Sequence, residues 1–371
     1  MLDMHMQKNI LQPRLNLKKL SSYFFRIIFI IFLGLLFGSL LLMINGHDPL
    51  LLFSSIILRP LQSWGQFGSV LQKAAPLILT GLGAVLAWQV GVFNLGLEGQ
   101  MIFGGLIGGC CAIFITGLST PVHLLISCLA GAIAGAFYAF IPGYLSAYHG
   151  ADEIVTTVMM NYIATLLLSY LLNNQLRDPT SAWAQSSPVA TTAEFMQLLP
   201  PSRFHLGVII SFLITIVITI ILFKSTLGYE IRMMGMNRRF TKYGGINVPK
   251  TILKAMALSG ALAGLAGAIE VMGVHQKLLI NFSAEFGWDG IAVALIAQLN
   301  PLAVIPAGLF MAMLRVGSSV MNMKEGIPID LVKIVVAVIL IFITANGFFK
   351  VLDRLISRYR NIVTKKNESN T

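Results

Sequence analysis

Between Ile27 and Leu172 only Asp48, Arg59, Lys73, Glu98, Asp152 and Glu153 carry charge. No other feature restricts the fold so much. A water-soluble domain charges about one residue in four, whereas this chain is 11% charged and 56% hydrophobic overall. A backbone in hydrocarbon must satisfy its own N–H and C=O groups, so it crosses as helices or as a closed barrel. The apolar runs approach the roughly 20 residues that a spanning helix needs. They lack the strict alternation of barrel strands. The expected fold is an all-α polytopic membrane protein.

Apolar segments fall near 24–44, 71–90, 98–117, 121–147, 153–172, 205–224, 253–274, 288–300, 302–318 and 331–349. This predicts about ten transmembrane helices. No small-residue cleavage site follows the first run, so an uncleaved first helix is expected. Lys and Arg gather in three places: residues 1–26, the stretch 224–254 and the tail from Lys350. Cytoplasmic flanks of membrane helices collect Lys and Arg. That rule assigns both termini and the basic loop at about 225–252 to the cytoplasm and the loop at about 173–204 to the outside. The crossings before and after the basic loop are both even in number, as this arrangement requires. The expected organisation is a cytoplasmic segment 1–23, a transmembrane permease domain 24–349 and a basic cytoplasmic tail 350–371.

The net charge of +11 then has a topological cause. Nucleic acid is not an expected partner, because no soluble basic domain exists to hold it. Membrane lipid is. Cys110, Cys111 and Cys128 are odd in number and sit in apolar runs, so they predict neither a disulfide framework nor a metal site. The histidines are scattered without metal-ligand spacing.

Opposite orientations of predicted helices 2 and 7 allow an inverted repeat of helices 2–5 and 7–10. Both blocks open on a glycine-rich helix (Gly81, Gly83; Gly260, Gly264, Gly267). Such repeats put solute sites at their interface near the midplane, on broken helices.

Four stretches carry candidate function. In Gly81–Gln100, Gly91, Gly96 and Gly99 interrupt the helix, while Asn94 and Glu98 put polar groups at membrane depth. Irregular backbone there is tolerated only where protein or a water-filled cavity satisfies it, and a carboxylate there is a functional candidate. The alternatives are a structural breakpoint and a plain solvated turn. In Asp152–Ala164, Thr157 and Asn161 lie four apart and share a helix face, either lining a polar path or bonding another helix. In Gly287–Pro301 the apolar run is too short to span and ends in Asn-Pro. Trp288 offers a flat face to a ring and Asp289 a hydrogen-bond acceptor; the alternative for Trp288 is an interfacial belt residue. The basic stretch Ser225–Ile246 mixes charge with Met233, Met234, Met236, Phe240 and Tyr243. Apolar residues at that density suggest a short helix along the membrane face and a docking surface.

Together these stretches resemble the membrane permeases of bacterial ABC importers for nucleosides and simple sugars such as ribose. Val92-Phe-Asn-Leu-Gly-Leu-Glu-Gly-Gln100 is similar to that family's most recognisable motif. The pattern Gly228, Arg232, Gly235, Asn237, Gly245 is similar to its coupling loop, with Arg238 and Arg239 beside it. The Asp152–Ala164 and Trp288–Leu295 segments resemble the nucleoside branch. Ile296–Asn300 departs from it, a glycine-richer run being expected there. The resemblance covers roughly 70–349. It implies a multi-pass protein of the bacterial cytoplasmic (inner) membrane and a second permease subunit, homologous or identical. It further implies a cytoplasmic ABC ATPase that hydrolyses ATP and an extracytoplasmic solute-binding lipoprotein. Independently of the resemblance, the glycine break, the short Pro-terminated run and the inverted repeat predict a solute pathway near Asn94, Glu98, Asn161, Trp288 and Asp289.

The chain itself is not expected to be an enzyme or to bind a cofactor. No Gly-x-x-x-x-Gly-Lys-Ser/Thr loop occurs, nor any Gly-Lys pair. Leu258–Leu262 is superficially like an ABC signature, but its apolar surroundings favour helix packing. The rival reading is an ion-coupled secondary transporter of a small polar solute, with Glu98, Glu270 and Asp289 as its candidate groups. An intramembrane hydrolase would need a dyad or zinc cluster that the sequence does not offer.

Overall fold

A computed structural model describes residues 32–44, 46, 48–328 and 330–344. The predicted segment 1–23, the start of the first predicted helix, the end of the last and the tail 350–371 lie outside the described residues.

The described chain is helical. It has no strand, only isolated bridges at Gln185–Leu279 and Gln197–His205. The helices are α1 (Phe32–Ile44), α2 (Trp64–Gln89), α3 (Leu97–Phe114), α4 (Thr120–His149), α5 (Glu153–Asn173), α6 (Leu206–Lys224), α7 (Thr226–Met236), α8 (Arg238–Tyr243), α9 (Val248–Glu270), α10 (Phe286–Ile296), α11 (Val304–Glu325) and α12 (Asp330–Thr344). Each predicted apolar segment thus carries a helix. Seven of these helices are long and apolar enough to cross a membrane. The basic loop contributes α7 and α8, so the short helix expected there forms as two.

Local chemistry sets the starts. Ser63 Oγ accepts from Gln66 N at 3.2 Å, which lets α2 begin seven residues before its predicted apolar run. Asp152 Oδ1 accepts from Ile154 N at 2.8 Å and opens α5, as a side-chain acceptor at a helix start should. Asn247 does the same for α9, accepting from Lys250 N at 3.1 Å.

The described residues divide into two compact units. In the first, Ser54–Val320, α9 packs on α2, α3 and α4, and α10 packs on α2. The centre is α2, whose most apolar window is 89% buried, against 22% for α5. The outer faces of α4, α5 and α6 expose Leu125, Ile133, Phe137, Ile163, Leu166, Leu213 and Ile220. Water does not tolerate so continuous an apolar surface; lipid or another membrane protein does. At the core the helices meet backbone to backbone: a Cβ on Gly104 would lie 2.1 Å from Gly264 Cα. Small residues allow this approach where lipid supplies no hydrophobic drive between helices.

The second unit holds α1, the turn into Phe53 and residues from Met321 onward. Within it, the Phe32 and Phe53 rings stand 6.5 Å apart. Asn322 Nδ2 donates to Ile327 O at 3.0 Å.

The long loop after α5 is stitched to the segment following α9. Val189 N donates to Gln276 O at 2.9 Å and Ser186 N to Leu278 O at 3.1 Å. Gln276 Nε2 donates to Glu194 Oε2 at 3.0 Å.

Candidate functional site

α2 stops because Gly91 takes φ +80°, a left-handed conformation that costs glycine nothing. Gly91 N then donates to Trp88 O at 3.0 Å and Val92 N to Ala87 O at 3.1 Å. Residues 92–96 run without helix before α3. This is not a turn in water: Val92, Asn94, Gly96 and Leu97 are buried.

Asn94 spends its whole amide inside the break. Nδ2 donates to Gln100 Oε1 at 3.0 Å and to Ser259 Oγ at 2.9 Å. Oδ1 accepts from Gln100 Nε2 at 2.9 Å and Gly96 N at 3.0 Å. Ser259 in turn donates to Gly83 O at 2.7 Å, so the signature-like run in α9 is a packing element. From α5, Asn161 Oδ1 accepts from Gly99 N at 2.8 Å and its Nδ2 donates to Leu95 O at 2.9 Å. Thr157 Oγ1 accepts from Leu95 N at 3.2 Å. The shared face of Thr157 and Asn161 is therefore turned onto the break and replaces the partners that helix formation would have supplied.

Glu98, 7% exposed, joins the break to α10. Its Oε2 accepts from Gly287 N at 2.7 Å and its Oε1 from Ser283 Oγ. A carboxylate at a helix start meets free N–H groups and the positive end of the dipole. The backbones are so close that a Cβ on Gly287 would lie 2.3 Å from Glu98 N. From the other side, Thr80 Oγ1 lies 3.1 Å from Phe286 O.

On the same first turn of α10, Asp289 Oδ2 accepts from Arg315 Nε at 2.6 Å, and Arg315 Nη2 donates to Ala284 O at 2.8 Å. The guanidinium lies 4.3 Å over the Phe286 ring. Trp288 is 41% exposed. Of the five candidate pathway residues, Asn94, Glu98 and Asn161 are thus gathered around the break. Asp289 and Trp288 sit on the first turn of α10, with the Asp289 charge countered. Sequence reasoning passed over Arg315, although a lone cation inside the apolar run of α11 is signal enough. It also passed over Ser259 and Ser283, which no pattern distinguishes from packing serines.

Glu270 is buried near the end of α9, where Gln72 Nε2 lies 3.4 Å and His275 Nε2 3.7 Å from its Oε1. Among the described residues no group of His, Cys, Asp and Glu is arranged to hold a metal ion.

The basic loop folds onto the end of α2. Ser225 Oγ accepts from Gly228 N at 3.1 Å and caps α7. Gly228 is pressed to within 2.3 Å of Ile221 O and Leu222 O, measured from where a Cβ would sit. Arg232 Nε donates to Gly228 O at 3.3 Å, with its guanidinium 5.3 Å over Phe223. Asn237 Oδ1 caps α8 through Phe240 N at 3.0 Å. Arg238 Nη2 turns inward to Gly91 O at 2.8 Å, and Gly245 (φ +81°) closes the loop. Arg239, Phe240 and Tyr243 face outward. Between α7 and α8 lies a groove of about 270 Å³ lined by Tyr229, Glu230, Met233, Phe240, Thr241 and Ile246.

Curated relatives match nearly the whole chain. The guanosine ABC transporter permease protein NupP of Bacillus subtilis is 33% identical over 89% of this chain and 95% of its own length. The nucleoside ABC transporter permease protein NupB of Lactococcus lactis is 32% identical over 86% and 90%. A glucose ABC transporter permease protein of Haloferax volcanii is 32% identical over 84% and 85%. No solved structure matches the chain. The family model described as "Branched-chain amino acid transport system / permease component" matches residues 66–344, which include the break, the basic loop and α10. The chain is a multi-pass membrane protein that belongs to this family of transport permeases.

Proposed function

We propose that this chain is the permease subunit of an ABC importer that passes nucleosides, with simple sugars as the second class, into the cytoplasm. The observation that carries the solute class is the first turn of α10. There the exposed face of Trp288 stands beside a countered Asp289–Arg315 pair, a flat surface for a ring next to polar groups for hydroxyls or base edges. Relatives named for guanosine and nucleosides support the same class. Asn94, Glu98 and Asn161 border the route by holding its broken backbone; Trp288 and Asp289 touch the solute.

The working complex contains a cytoplasmic ABC ATPase, which hydrolyses the ATP, a second permease, homologous or identical, and an external solute-binding lipoprotein. No cofactor or metal is bound by this chain. About ten transmembrane helices, the short α10 among them, sit in the cytoplasmic membrane of a bacterium, and α2–α5 and α9–α12 form an inverted repeat. In support, each block opens on a glycine-rich helix followed by a break. The loop 225–252 is the ATPase-coupling element. Gly228, Gly235 and Gly245 shape it, Arg232 and Asn237 brace it, Arg238 ties it inward, and Arg239 with its aromatic neighbours forms the docking face.

Reconstituted with its ATPase and binding protein in proteoliposomes, the complex should take up labelled guanosine when ATP is supplied, whether or not ion gradients are collapsed. Uptake that follows an ion gradient instead of ATP would support the secondary-transporter reading and overturn this one. In the same assay Trp288→Ala should shift the guanosine-to-ribose preference about fivefold, the equivalent of roughly 1 kcal/mol of stacking. An unchanged preference would remove Trp288 from the solute contact.

The orientation is tested by single cysteines in a cysteine-free background. Trp183 and Tyr243 are 80% and 92% exposed, so both accept a thiol probe. A membrane-impermeant maleimide added to intact cells should label Trp183→Cys and spare Tyr243→Cys; the reverse pattern would invert the topology. Ser186, in the same loop, is unsuited because it is 2% exposed and bonded to Leu278.

A further inference from the structure

α10 hangs between two pairs of strained residues. Ala284 and Glu285 precede it with φ 45° and 63°, and Gln298 and Leu299 follow it with φ 49° and 60°. Residues with a Cβ enter this region against steric repulsion, and they stay there only where surrounding contacts hold them. At the far end the holding contact is Gln89, the last residue of α2, whose Nε2 donates to Leu299 O at 2.9 Å. Gln89 is 4% exposed and its Oε1 has no partner among the described residues. A buried acceptor left unpaired raises the energy of this arrangement relative to one that pairs it.

The same end of α2 is gripped by the basic loop at two points. Arg238 Nη2 donates to Gly91 O at 2.8 Å. Gly235 is so close that a Cβ there would lie 2.0 Å from Gln89 O. Movement of α7 and α8 therefore reaches Gln89 through backbone contact and Gly91 through a charged hydrogen bond. Gln89 passes it to the hinge behind α10. The helix itself, 11 residues long, moves as a rigid piece because regular helical hydrogen bonding joins its turns between the hinges.

We infer that Arg238 and Gln89 are positioning residues for transport, forming a relay that moves α10 when the cytoplasmic loop moves. This rests on the reading of loop 225–252 as the ATPase-coupling element. Two features make the relay switchable: the hinges relax once their clasp is released, and the unpaired Oε1 gains by rearrangement.

The test uses the complete reconstituted transporter with Arg238→Ala, Gln89→Leu, the double variant and Arg238→Lys. In both single variants the ATPase should still co-purify, and the ATP consumed per solute carried should rise about tenfold, a typical size for site-to-site coupling. The double variant should be no worse than either single one, because links in series are not additive. Arg238→Lys, which keeps a charged donor, should restore part of the yield. A merely structural role would lower hydrolysis and uptake together and leave the ratio unmoved. An unchanged ratio in both single variants overturns the relay. So does loss of the ATPase in Arg238→Ala, which would make that arginine a docking residue. Arg239→Glu combined with Tyr243→Ala tests the underlying reading separately: the ATPase should detach, and its retention would sink the docking assignment whatever Gln89 does.

Discussion

Gly264→Leu is expected to abolish accumulation of the folded protein. A Cβ at this position would lie 2.3 Å from Gly131 O and 2.8 Å from Gly135 Cα. Those neighbours are themselves packed on backbone: a Cβ on Gly135 would lie 2.2 Å from Gly260 O, and one on Gly104 2.1 Å from Gly264 Cα. Three helices, α3, α4 and α9, meet here with no side chain between them that a rotamer change could move aside. Relief requires separating the helices, and that surrenders the packing of α9 on α2, α3 and α4. Overpacking a core costs about 1–3 kcal/mol where side chains can adjust. Here only backbone can, so the loss should exceed that range and lower the yield of detergent-extractable protein by at least about tenfold. Gly65→Ala is the control: its nearest neighbour is Pro201 at 3.6 Å, an ordinary contact, and its yield should match the parent. Wild-type yield for Gly264→Leu would mean that these helices do not meet as described.

Glu98→Ala should cut transport by about a hundredfold, whereas Glu98→Gln should stay within about tenfold of the parent. The alanine leaves Ser283 Oγ and Gly287 N, both buried, without their acceptor. Hydrogen bonds to a charged group contribute about 1.5–3 kcal/mol each, and the start of α10 loses a further ~0.3–1 kcal/mol of dipole compensation. Glutamine keeps the shape. Its oxygen can take the Gly287 N–H while its NH₂ turns to Ser283, whose hydroxyl accepts as readily as it donates. What remains lost is mainly the charge. Solute preference should not change in either variant, because the carboxylate is buried and both its oxygens are engaged by Ser283 and Gly287. A changed preference in Glu98→Gln would make the carboxylate a solute contact and not an anchor for the broken backbone.

The two groups of polar residues behave differently for a physical reason. Inside a membrane protein an irregular backbone must be paired by protein where it cannot reach water. Asn94, Asn161 and Thr157 do that pairing, so they can leave little hydrogen-bonding capacity for a solute. Trp288 has no such duty and keeps an exposed face. Glu98 and Asp289 are engaged by helix α10 and by Arg315, and Glu270 by Gln72 and His275. Groups held by such partners are poorly placed to take up and release an ion, as an ion-coupled transporter would require of them.

The sequence alone determined the fold class, because a long uncharged stretch leaves a backbone no alternative to helices in hydrocarbon. It located the helical segments, since hydropathy and caps act over neighbouring residues. It also marked the break at Asn94–Glu98, the shared face of Thr157 and Asn161, the shortness of α10 and the basic loop, all of them local departures from an apolar background. Only the tertiary structure decided what those departures meet. The pairings of Asn161 with Gly99 and of Glu98 with Gly287 join residues 62 and 189 apart in the chain, and periodicity carries no information over such separations. The same holds for Arg238 on Gly91, Gln89 on Leu299 and Arg315 on Asp289. Each is made by elements brought together in space, several of them through close glycine contacts, whose partners no single segment specifies. A polar residue in a membrane helix announces that it needs a partner; which partner it finds is fixed by packing.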